Sequence, residues 1–138
     1  MKKVLIIESP YYLSKLLSDL LKSRNITAFC PKNEQEANII LKNEQIEAII
    51  IEPMLPSNFL TDAIKETNVK YIQSGLFILE KIEKINKDFN KNPKIIINTL
   101  VSFQDLIEND FLKIRMPNYF YFRKPTLIDN IIEKINLA

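Results

Sequence analysis

The sequence predicts an α/β protein with a doubly wound, five-stranded parallel sheet and helices on both faces. Three observations lead there. Short apolar runs alternate with amphipathic stretches five times along the chain, giving the order (βα)5. The runs are continuously apolar, the pattern of strands covered on both sides. Each is separated from the next by enough chain for the crossover helix that parallel neighbours require. With 138 residues, 46% apolar and 26% charged, the chain has the size and balance of one globular domain, and residues 1–138 are read as a single unit.

The first strand is residues 4–7, VLII. Ser9 and Pro10 are expected to open the first helix, serine as a cap for free amides and proline at the first helical position. Leu13, Leu16, Leu17, Leu20 and Leu21 follow at helical spacing. Residues 27–30 form the second strand, with Cys30 as a buried, unpaired thiol. Asn33, with Glu36 three residues on, is a variant capping box for a helix striped by Ala37, Ile40 and Leu41. Residues 48–51, AIII, are the third strand.

After a long connection, Ser74 and Gly75 lead into a third helix with Ile78, Ile82, Ile85 and Phe89 on one face. Glu80 with Lys84 and Glu83 with Lys87 are spaced as i,i+4 pairs on it. Its neighbouring lysines, Lys81 to Lys94, are interrupted by acids and read as a solvated face. Residues 95–98 form the fourth strand. Ser102 with Asp105 starts a short helix carrying Phe103, Leu106 and Ile107. Residues 119–122 are the fifth strand, and Thr126 with Asp129 caps a last helix of Ile128, Ile131, Ile132 and Ile135.

Composition removes several function classes. The chain has no histidine, so an imidazole metal site, a His-assisted nucleophile and a phosphohistidine relay are all excluded. A single glycine, Gly75, excludes Gly-rich phosphate loops. The net charge of +2 is spread along the chain without a basic block interleaved with aromatics, so nucleic acid is not an expected partner. No apolar run is long enough for a membrane span or a signal peptide, and one unpaired cysteine fits a reducing compartment; a cytoplasmic location is expected.

Doubly wound sheets place their sites just beyond the carboxyl ends of the strands. Those positions hold Glu8, Ser9, Glu52, Thr99 and Lys124. The strings around them, KVLIIESP, AIIIEPMLP, KIIINTL and YFYFRKP, resemble in order the first, third, fourth and fifth strands of response-regulator receiver domains, the CheY-like variety of the flavodoxin-like fold. The resemblance covers essentially the whole chain. It implies that Glu8 and Ser9 stand at the acidic pair that holds magnesium, with Glu52 and the Met54 carbonyl as further ligands. It places Glu52 at the phosphoacceptor, Thr99 at the switch hydroxyl, Tyr121 at the switch aromatic and Lys124 at the phosphate-binding lysine. A cis Lys124–Pro125 bond is also implied.

The chain departs from the family pattern in three ways. Ser9 is not acidic, which takes a charge from the magnesium cage, so binding is expected to be weak or absent and no cofactor is required. Glu52 is one methylene longer than aspartate, displacing its carboxylate by about 1.5 Å, one C–C bond. A displacement of that order can cost about a hundredfold where geometry supplies the rate. Residues 57–74 form an insertion where the family has only a few residues; Phe59, Leu60, Ala63 and Ile64, with Val69, Tyr71 and Ile72, supply apolar bulk for its ordering.

From this follows the expectation of a two-component or phosphorelay module, a pseudo-receiver rather than an enzyme. It would act on a protein partner, a signalling protein or histidine kinase-linked component, or on a second copy of itself, without ordinary aspartyl phosphorylation. Glu52 is expected to pair with Lys124. Two alternatives stay open: a working receiver with weakened magnesium binding, and a small ligand-binding flavodoxin-like domain. Core packing is an equal reading for Tyr121, as helix capping is for Ser9.

Overall fold

A computed structural model describes residues 1–55, 59 and 71–137, so most of the 57–74 insertion, including Leu60, Ala63, Ile64 and Val69, lies outside the described residues. Five strands, β1 (Lys2–Ile7), β2 (Ile26–Phe29), β3 (Ala48–Ile51), β4 (Lys94–Thr99) and β5 (Phe120–Arg123), form one sheet in the order β2-β1-β3-β4-β5. Every pairing is parallel. Six helices are described: α1 (Tyr11–Lys22), α2 (Glu34–Asn43), α3 (Tyr71–Asp88), α4 (Phe103–Ile107), α5 (Asp110–Arg115) and α6 (Ile128–Ile135), with a 3-10 turn at Met116–Asn118 before β5.

Alternation along the strands divides the core into two layers. Leu5, Ile7, Ile49, Ile51 and Ile97 point to one face, against Leu41 of α2, Ile78, Leu79 and Ile82 of α3, and Leu106 of α4. Val4, Ile6, Ala48, Ile50 and Ile96 point to the other, against Leu21 of α1 and Ile131, Ile132 and Ile135 of α6. Each fully buried leucine or isoleucine contributes about 1.5–3 kcal/mol of transfer free energy. Both faces of the sheet are therefore committed. Phe59 is buried in the first layer.

The observed caps differ from the expected ones at two helices. Asn33 caps α2 as expected, its Oδ1 accepting from Glu36 N at 2.9 Å, while Glu36 Oε2 accepts from Lys32 N at 2.7 Å. Ser102 likewise caps α4. Ser9 does not cap α1, whose N-cap position is Pro10 without a side-chain bond. Thr126 does not cap α6, whose N-cap is Leu127; its hydroxyl donates to Asn98 Oδ1 at 2.8 Å instead. The single fourth helix becomes two, because Asn109 Oδ1 accepts from Phe111 N and Leu112 N and starts α5.

The leucine-rich helix α1 is rotated from the expected stripe. Leu21 is buried and Ser14, seven residues earlier on the same face, is fully buried, whereas Leu16 and Leu20 are exposed. The serine is tolerated because its hydroxyl donates to the Glu8 carbonyl at 3.2 Å. Cys30 lies one residue past β2 and is half-buried rather than buried, with Sγ 3.5 Å from the Ser14 carbonyl. Burial raises its pKa above the ordinary thiol value.

Gly75 sits inside α3, which begins at Tyr71, and not ahead of it. A Cβ there would fall 2.5 Å from Pro53 Cα and 2.6 Å from its carbonyl carbon, so only glycine allows α3 to lie against the turn after β3. The lysines from Lys81 to Lys94 are not simply a solvated face. Lys81 pairs with the buried Glu34 of α2. Lys91 Nζ donates to the Leu41 and Glu44 carbonyls at the end of α2, at 2.5 and 3.0 Å, and Lys94 Nζ to the Ile135 carbonyl at the end of α6, at 2.9 Å. Glu83 binds Arg115 Nε at 2.7 and 2.8 Å through its two oxygens, so the expected Glu83–Lys87 pair gives way to a contact between helices.

Candidate functional site

The strand order reverses between β1 and β3, which places the crevice of the sheet at their carboxyl ends. Ile7 and Ile51 are register partners there, so Glu8 and Glu52 leave the sheet side by side. Ile51 is in turn level with Ile97, two residues before Thr99, and Thr99 is level with Arg123, next to Lys124. Lys124 N donates to the Thr99 carbonyl at 2.7 Å, and Glu52 N to the Ile7 carbonyl at 2.9 Å. The sheet ladder thus gathers residues far apart in sequence.

Lys124 is the centre of the cluster. Its Nζ lies 2.6 Å from Glu8 Oε2 and 4.0 Å from Glu52 Oε1, with Glu8 9% and Glu52 7% exposed. The expected Glu52–Lys124 pair is therefore at the edge of ion-pair distance, and Glu8 is the first partner. Glu8 is the shorter reach because it also accepts from Ser9 N through Oε1 at 3.1 Å, which turns its second oxygen to the lysine.

Glu52 Oε2 is buried without a hydrogen-bond partner among the described residues. Burial is the main reason that its pKa rises from 4.5 to about 6. The Thr99 hydroxyl, Lys124 and the Met54 N–H pull it down, and the Glu8 carboxylate pushes it up. At neutral pH the acid is mostly ionised, close to the pH at which it takes a proton.

Thr99 is fully buried, and its Oγ1 accepts from Val101 N at 3.2 Å. Tyr121 donates its hydroxyl to the Val101 carbonyl at 2.5 Å and meets the Phe103 ring edge-on at 5.6 Å. Both thus anchor the loop from Leu100 to Ser102 after β4. Burial raises the Tyr121 pKa, so the phenol remains a donor. Met54 turns a partly exposed side chain outward, 38% exposed.

No family model matches the chain and no curated protein matches it. Solved structures match over nearly its whole length. It is similar to the receiver domain of Francisella response regulator 1452, with TM-score 0.65, 20% identity and coverage of 99% of this chain and 94% of that one. It is also similar to Vibrio cholerae chemotaxis protein CheY4, with TM-score 0.71, 13% identity and coverage of 98% and 96%. The chain has the CheY-like receiver fold. A Burkholderia pseudomallei response regulator with a phosphorylated aspartic acid and a calcium ion shares it at TM-score 0.68 and 18% identity, over 99% of this chain and 67% of that one.

In this receiver fold Glu8, Glu52, Thr99 and Lys124 converge, while Tyr121 reaches the cluster only through the loop after β4 and Ser9 contributes its backbone N–H to Glu8. The Lys124–Pro125 bond is cis, as the resemblance implies, and so is Ser9–Pro10. Magnesium would have the Glu8 and Glu52 carboxylates and the Met54 carbonyl as donors. Of these donors Glu8 is already held by the lysine, whose Nζ lies 2.6 Å from its Oε2, so a cation there would have to displace that pair. Sequence reading missed Asn98, which ties the turn after β5 to β4 through Thr126; an amide interrupting the IIIN run was its signal. It also missed Ser14, a serine on the buried side of a leucine helix.

Proposed function

We propose that the chain is a two-component or phosphorelay receiver module that signals by protein contact without ordinary phosphorylation at residue 52, and that it is not an enzyme. The observation that carries this reading is the Glu8–Lys124–Glu52 cluster. Phosphoryl transfer needs an ionised carboxylate oxygen in line with the donor, with a cation on the transferred oxygens. Here Glu52 Oε2 is enclosed, Oε1 faces Lys124, and the lysine is already bonded to Glu8. The lysine offsets one of the two carboxylate charges without a metal, and its contact with Glu8 leaves no ready site for a phosphoryl group. The partner is a signalling protein or histidine kinase-linked component, or a second copy of the chain.

Magnesium calorimetry tests this reading, because transfer in such a site relies on the metal. The expected result is binding at least about ten- to a hundredfold weaker than that of the Ser9→Asp/Glu52→Asp variant, which rebuilds the acidic cage. Equal affinities for the two proteins would favour a working receiver.

A further inference from the structure

At the opposite end of the sheet from Glu8 and Glu52, a groove of about 850 Å³ opens between the second half of α3, the start of β4 and the turn before β5. That volume is in the range of small-molecule sites, about 300–1,000 Å³. Its lining carries five cations, Lys84, Lys87, Lys91, Lys94 and Arg115, against one carboxylate, Glu83. The whole chain has a net charge of only +2, so positive charge is concentrated here. Arg115 is neutralised by Glu83. Lys91 is held by backbone carbonyls at the end of α2, which orient its ammonium without cancelling its charge, while Lys94 Nζ turns to the Ile135 carbonyl at the end of α6. Lys84 and Lys87 have no ion-pair partner among the described residues.

The neutral part of the groove is equally specific. Ile95 and Tyr119 supply a half-buried apolar and aromatic wall. Lysines act as point charges suited to phosphates, and an aromatic wall suits a flat ring.

We propose that this groove binds a small organic polyanion of nucleotide size, with its phosphates on Lys84 and Lys87 and its ring against Tyr119. The site is independent of the cluster around Lys124.

Chemical-shift titration of the 15N-labelled full chain, in magnesium-free, low-salt buffer, tests it with ATP, adenosine and tripolyphosphate as probes. The expected result is saturable shifts with ATP, centred on residues 84–95 and 119, with a Kd of about 0.1–1 mM. Adenosine and tripolyphosphate should each bind at least about tenfold more weakly. Lys84→Glu/Lys87→Glu should weaken ATP by a similar factor while leaving the melting midpoint unchanged. Absence of saturation, shifts centred elsewhere, equal binding of tripolyphosphate, or unaltered affinity in the double variant would each overturn the proposal.

Discussion

At Glu52 a single methylene changes what the site can hold. Its carboxyl is enclosed on one oxygen and shares Lys124 with Glu8 on the other. Because its pKa is raised from 4.5 to about 6, the folded protein binds more protons than the unfolded chain between those values. Stability therefore falls as pH rises through that window, and the loss is complete above the folded pKa. Glu52→Gln should be more stable than the unmodified protein at pH 7.5, by up to about 2 kcal/mol, and should show no gain at pH 4. Denaturant melts at the two pH values check this; an equal effect at both would remove the buried-acid reading. Lys124→Ala leaves two carboxylates facing each other without a cation. It should cost about 1–3 kcal/mol, discounted for the partial exposure of the lysine, against less than about 0.5 for Lys84→Ala on the exposed face of α3. The members of this cluster were legible in the sequence, but the choice of Glu8 as first partner was not. It depends on the Ser9 N–H turning the Glu8 carboxylate, a detail no residue pattern carries.

Among the elements, α3 and α5 carry the least obvious constraints. Gly75 faces the Pro53 backbone at distances no Cβ can share, so Gly75→Ala should destabilise by about 1–3 kcal/mol through overpacking, although alanine favours helices elsewhere. A gain in melting midpoint would mean that α3 does not lie against the turn after β3. Asn109→Ala removes both side-chain bonds at the start of α5 and should cost about 1 kcal/mol, read from the same melts. Strands were the most legible elements, their ends differing from the expected ones by at most two residues in the structure. Helix starts were legible where a side chain caps at its own helix, as at Asn33 and Ser102. They were misread where tertiary bonds claim the residue, as Asn98 claims Thr126. The leucines of α1 were misassigned for a related reason, since a buried serine satisfied by the Glu8 carbonyl displaces Leu16 and Leu20 to the surface.

Over the whole molecule, a reversal of strand order creates one crevice, and the ladder fills it with residues drawn from positions 8 to 124. The receiver architecture was legible because five apolar runs and their following residues share one order along the chain. The proposal that signalling here proceeds without transfer to residue 52 is tested most directly by intact-mass and peptide mass spectrometry after incubation with a small phosphoryl donor and magnesium. The expected result is no phosphoryl adduct on the unmodified protein and a detectable adduct at position 52 of the Ser9→Asp/Glu52→Asp variant. A stoichiometric adduct on Glu52 of the unmodified protein would contradict it.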